Sequence, residues 1–228
     1  VRFLKAVLDS LNQQTYSDFE IIVSEDAEHP HMAEFLREYD FGHPCQHLTQ
    51  PDQGWQKNRA LNKAILAAKG DYLIFIDGDN VLHPRFVEMH LRLASPNAII
   101  AGKRIKLNAK ESEFLLSDPK NVYDMNSRVF KMLLSGKKQG CGFVEEGLFI
   151  SPTSVFGFIP RLRTMSLLKG CNMSMYKHAI LDINGFDEDY TKPAVGEDTD
   201  LVWRFEGMGY RLKAARNLAV QYHLDHPQ

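Results

Sequence analysis

Two aspartates one residue apart, Asp77 and Asp79, close the run Asp71-Tyr72-Leu73-Ile74-Phe75-Ile76-Asp77-Gly78-Asp79-Asn80. Hard carboxylates in this arrangement suit Mg²⁺ or Mn²⁺, which take one or two protein carboxylates and complete their octahedron with water and phosphate oxygens. A phosphate-bearing substrate is the first expectation. Asp, Gly and Asn are also ordinary turn residues, so a polar turn at the end of a core strand explains the same letters. A second acidic group, Gly196-Glu197-Asp198-Thr199-Asp200, precedes Leu201, Phe205 and Met208 at helical spacing. It therefore occupies a helix N-terminus, where carboxylates cap the backbone and meet the dipole. Four polar residues in series exceed what one cap needs.

These groups need elements to carry them. The apolar stretch before Asp77 reads as a strand buried on both faces, and Gly78 is expected to let the backbone turn sharply. In an open α/β sheet such a strand delivers its C-terminal residues to the ligand crevice. Lys57 and Arg59 lie in the first turns of a helix over 54–69, beside that edge, and are candidates for binding a diphosphate. The chain opens inside a helix marked by Leu4, Val7, Leu8 and Leu11, which is unusual for an α/β domain and predicts a missing first strand. Glu20 to Ser24 is a strand ending at Glu25-Asp26, and Met32, Phe35, Leu36 and Tyr39 mark a helix. Pro84 announces another, and Asn97 to Ala101 is a strand. This alternation predicts a Rossmann-like, doubly wound, mostly parallel sheet.

Between Lys103 and Leu168 the periodicity weakens and glycines gather at 136, 140, 142 and 147. That region reads as an insertion with short helices, a lid with little core of its own. Gly170 to Met175 is a strand with small residues, a short helix stops at Asn184-Gly185, and a last strand is expected over Leu218–Tyr222.

The 228 residues, 44% hydrophobic and 25% charged, suffice for one domain with a full core. A net charge of -2 gives no global basic field, so nucleic acid is not an expected partner. Three scattered cysteines, Cys45, Cys141 and Cys171, fit a reducing compartment and neither a disulfide framework nor a zinc site. No apolar run reaches the roughly 18 residues of a membrane span.

Three stretches together resemble the family 2 glycosyltransferases of the GT-A fold, in the branch similar to galactosyltransferases in its C-terminal half. They are Gly70-Asp71-Tyr72 through Asp79, Gly170 to Ser174 with Asn184-Gly185-Phe186-Asp187, and Gly196 to Asp200 with the terminal His223 to Pro227. The resemblance implies a single GT-A domain: a nucleotide-sugar half over 1–102, the insertion over 103–168, and an acceptor and catalytic half over 169–228. It implies metal-dependent, inverting transfer from a nucleotide-diphosphate sugar, a UDP-sugar by family frequency, to a hydroxyl of a glycan or glycolipid. Asp26 and Asp77 would meet the nucleoside, Asp79 with Asp77 and His223 the metal, and Asp198 would be the base beside Glu197. His226 rivals His223 as a ligand. A cytoplasmic place follows, at the inner face of a membrane if the association is peripheral. Two features depart from the family: no strand precedes the first helix, and Ala194-Val195 stand where a tryptophan is usual. The Asp77/Asp79 pair also occurs in haloacid-dehalogenase-like phosphatases, and a non-catalytic sugar-nucleotide module is the third alternative.

Overall fold

The computed structural model describes residues 1–193 and 196–226, so Ala194 and Val195 lie outside the described residues. The first half carries the expected helices and strands, with β2 and β4 in addition: α1 (Arg2–Asn12), β1 (Ile21–Ser24), α2 (Pro30–Glu38), β2 (Cys45–Leu48), α3 (Lys57–Ala67), β3 (Tyr72–Ile76), β4 (Asn80–Leu82), α4 (Phe86–Leu93) and β5 (Ala98–Ala101). Then come β6 (Ile105–Lys106), α5 (Ala109–Ser117), α6 (Met125–Ser135), β7 (Asn172–Tyr176), α7 (Lys177–Asp182), α8 (Glu197–Gly207), β8 (Arg211–Ala214) and β9 (Gln221–His223).

The four-stranded central sheet has the order β3-β7-β5-β8, with β7 antiparallel to both neighbours and β8 parallel to β5. β1 and β2 form a separate parallel pair, and β4-β9-β6 a small mixed sheet. The architecture is α/β, with parallel and antiparallel pairings both present. Among the described residues β3 pairs only with β7. All five of its residues are therefore half-buried, where the apolar sequence predicts burial on both faces.

α1 buries Val7, Leu8, Ser10 and Leu11, and Ser10 Oγ accepts the Leu82 amide, fastening the helix to β4. One core cluster joins α1 to α4 and a second packs α7 and α8 against β7. The third corrects the expectation for the insertion. Ile105, Leu115, Met125, Val129, Met132 and Val144 pack with Val81, Tyr222 and Leu224, so residues 105–147 share a core with β4 and β9. After Gly147, Leu148 and Phe149 still pack against this core and Met165 and Leu168 against the second, while the turns between Phe149 and Met165 join none of the three clusters.

A buried polar network fixes how β7 crosses. His90 on α4 is fully buried between Ser174 Oγ (2.7 Å from Nδ1) and Asn172 Oδ1 (3.1 Å from Nε2). Asn172 donates from Nδ2 to the Lys103 and Ala219 carbonyls, and a Cβ on Gly102 would lie 2.4 Å from that same amide group. This glycine is required by close approach.

Candidate metal centre and active site

β3 delivers Asp77 to the sheet edge and β4 begins at Asn80, so the two aspartates sit in the connection between strands. Gly78 lies outside the left-handed region, and a Cβ there would meet Leu4 Cδ1 at an ordinary 3.8 Å. Its conformational freedom is not what makes this turn, contrary to expectation.

The register of β4 against β9 pairs Asn80 with His223, which brings the last strand alongside Asp79. Asp79 Oδ2 lies 3.3 Å from His223 Nε2 and 3.0 Å from His226 Nε2. The Leu224 amide donates to the Asp79 carbonyl, closing the same loop from the backbone side. One ligand atom from each of Asp79, His223 and His226 lies within 4.8 Å of the others. Phe3 of α1 backs this group, its ring 5.8 Å from that of His226. Burial acts to raise the Asp79 carboxyl, but hydrogen bonds and charge from the two histidines, with Arg104, prevail and lower it to about 2.

Asp77 is placed differently. Its Oδ1 accepts from Lys57 Nζ at 2.8 Å and its Oδ2 from Arg104 Nη1 at 3.4 Å, so two cations engage it and it is not one of the three residues whose ligand atoms meet. Lys57 is the first residue of α3, and burial lowers its ammonium while Asp77 more than restores it. Arg59 faces solvent and reaches only Gln56 Oε1, at 3.3 Å. Asp26, just past β1, is an organising acceptor: Oδ1 takes Gln50 Nε2 and Oδ2 the Gln56 amide, both at 2.6 Å. It thereby shapes the loop that leads into α3.

At the start of α8 the acidic residues divide the work. Asp200 pairs with Arg204, which also donates to the Ile183 and Gly185 carbonyls, so this pair locks the helix to the turn after α7. Glu197 accepts from the Gly196 amide at 3.1 Å. Asp198 turns away to Gly170, whose amide donates to Oδ1 at 3.1 Å. Burial and the charge of Glu197 raise the Asp198 carboxyl, while Lys169, the Gly170 amide and Lys57 oppose them. The helix dipole predicts the opposite sign; desolvation outweighs it. Lys57 is within electrostatic reach of both Asp77 and Asp198 and so links the two acidic groups.

The fold thus brings together Asp79, His223 and His226, with Asp77 and Lys57 adjacent, and leaves Arg59 outside. Arg104 was not foreseen from the sequence. It follows the short loop after β5 with no pattern of its own, and only the pairing of strands reveals its neighbour.

A family model, Glycosyl transferase family 2, matches residues 2–147. Chondroitin synthase of Escherichia coli is 24% identical over 224 residues, which cover 95% of this chain and 32% of that protein. Hyaluronan synthase of Pasteurella multocida is 28% identical over 96 residues, covering 41% of this chain and 10% of its own length. The chain therefore spans about a third or less of these relatives. Among solved structures, TarS 1-349 of S. aureus in complex with UDP-GlcNAc superposes with a TM-score of 0.60 at 14% identity, covering 99% of this chain and 55% of that one. That likeness shows the GT-A fold.

Proposed function

Because the chain belongs to glycosyl transferase family 2, we propose that it transfers a sugar from a UDP-sugar donor to a hydroxyl of a glycan or glycolipid, with inversion at the anomeric carbon. The observation that carries this reading is the meeting of Asp79 with His223 and His226, across 147 residues of sequence, at the edge where β3 ends. Structures of TarS with UDP-GlcNAc and with UDP support a uridine diphosphate donor. Similarity to chondroitin and hyaluronan synthases supports a saccharide acceptor.

One carboxylate oxygen and two imidazole nitrogens already gathered fit a divalent cation, and the imidazoles favour Mn²⁺ over Mg²⁺. Asp79, His223 and His226 would hold it, and its chemistry is to neutralise diphosphate charge. The chain's own residues do the rest. Lys57 and Arg104 offer cationic groups to the departing diphosphate, with Asp77 as the counter-charge that keeps them in place. Asp77 and Asp26 address the nucleoside. Asp198 accepts the proton of the acceptor hydroxyl as its oxygen bonds to the anomeric carbon and the bond to the diphosphate oxygen breaks. Glu197 keeps Asp198 raised in pKa. The turns over 148–168 close over the donor.

The phosphatase alternative has no support in the family match. No helix among the described residues is long and apolar enough to cross a membrane. Three free thiols fit a reducing compartment, so a cytoplasmic place of action goes with this reading. Calorimetric titration with UDP tests the donor assignment: binding is expected with Mn²⁺ and lost in excess EDTA. Equal affinity in EDTA would overturn the metal role. NMR of the product distinguishes inversion from retention.

A further inference from the structure

We propose that α6 and the turn after it form a surface that docks on a bilayer bearing anionic headgroups. The argument is independent of the transfer reaction and begins with an imbalance. Ten of the fifteen large apolar side chains exposed among the described residues fall between Tyr123 and Leu167. Between Met125 and Lys169 the sequence carries seven basic residues and two acidic ones, although the whole chain has net charge -2. Exposed apolar residues and basic residues are thus concentrated in one stretch of sequence, five of the ten apolar ones falling between Tyr123 and Phe143 on α6 and its flanking turns.

Within it, α6 has two apolar stripes. Met125, Val129 and Met132 face inward to the core. Helical periodicity puts Phe130 and Leu134 on the opposite side with Leu133 beside them, and these are exposed at 50%, 73% and 38%. Gly136, at φ 64, ends the helix with the left-handed cap that favours glycine. The turn then carries Lys137 and Lys138 and presents Phe143, 54% exposed at φ 54. A bulky aromatic that is both solvated and left-handed is doubly unfavourable in an isolated molecule, and strain of this kind gathers at working surfaces.

Lys131, Lys137 and Lys138 are exposed and make no ion pair among the described residues, whereas Arg128 is engaged with Glu111. The flanking acids are Asp124 before the helix and Glu145 beyond Phe143. Phenylalanine and leucine inserted at headgroup depth with lysines around them is the composition of an interfacial helix on an anionic leaflet. A second copy fits poorly, because a two-fold contact through this face would set its lysines against each other.

The test is co-flotation of the chain with vesicles of phosphatidylcholine alone and of equimolar phosphatidylcholine and phosphatidylglycerol. Binding is expected to the anionic vesicles only, weakening as salt is raised. Lys137→Gln with Lys138→Gln should reduce partitioning about thirtyfold without touching the core. Phe130→Ser with Leu134→Ser should reduce it further with the circular dichroism unchanged. Absence of binding to anionic vesicles at low salt, equal binding to neutral ones, or indifference to the lysine pair would overturn the proposal. So would sedimentation showing a dimer that the same variants dissolve, which would give this face to a second copy.

Discussion

A carboxylate that takes a proton from a hydroxyl works best with its pKa moved toward the working pH, and Asp198 is moved that way by burial and by Glu197. Asp198→Asn is expected to bind UDP with Mn²⁺ normally and to lose transfer by roughly two to four powers of ten. Retained turnover would remove Asp198 from the role of base. Because its folded pKa lies above the unfolded one, ionising Asp198 weighs against the folded state as pH rises. The variant should therefore be no less stable than the parent at neutral pH, whereas loss of a simple cap would cost about 1 kcal/mol. At the metal group, His223→Ala and His226→Ala should each weaken Mn²⁺-dependent UDP binding by at least about tenfold. Calorimetry of the two variants decides whether both imidazoles count or one. That Asp79 and His223 stand together was legible in the sequence, because each sits in a short ordered motif at the end of an element. What the motifs did not convey was the division of labour: Asp77 is claimed by Lys57 and Arg104, and Asp79 faces two histidines. Such choices depend on which strand lies beside which.

Strands and helices transmit a different set of demands. Burial lowers His90 to about 3 and His83 to about 4, so both are neutral in the folded chain. The unfolded chain binds these protons first, so stability is complete above the ordinary histidine range near 6.5 and is lost as pH falls below it. Each histidine contributes a slope of up to about 1.4 kcal/mol per pH unit. Urea unfolding between neutral pH and about pH 5 should show this, with a shallower slope in His83→Gln. Glu146, buried in the short turn before β7's long approach, accepts from Arg163 at 3.0 Å and from Arg216. Asn217 adds bonds from Nδ2 to the Glu145 and Leu148 carbonyls, so the 148–168 turns are tied to the segment that leads into β9. Glu146→Gln leaves two guanidiniums uncompensated and should cost about 3 kcal/mol, read as a lowered urea midpoint. Helices with clean apolar stripes, α1 and α4, were legible, and so were β1, β3 and β5. β4 and β6 were missed because two or three residues carry no period, and β9, expected over Leu218–Tyr222, is shorter and lies further on at Gln221–His223. β2, Cys-Gln-His-Leu, is too polar to announce itself.

For the molecule as a whole, the insertion proved to be two things. Residues 105–147 complete a core and should show amide protection that donor leaves unchanged. The turns over 148–168 should gain protection when UDP-sugar and Mn²⁺ are added, and equal exchange with and without them would remove the closing motion. The open side of β3 bears on the same experiment. Among the described residues β3 is zipped along one margin only, which commits every second amide to β7 and leaves the others unpaired. Exchange along Tyr72–Ile76 should therefore alternate, slow and fast, right up to Asp77. The margin left unpaired among the described residues is a template on which one more extended segment can be laid, ending one residue from the acidic pair.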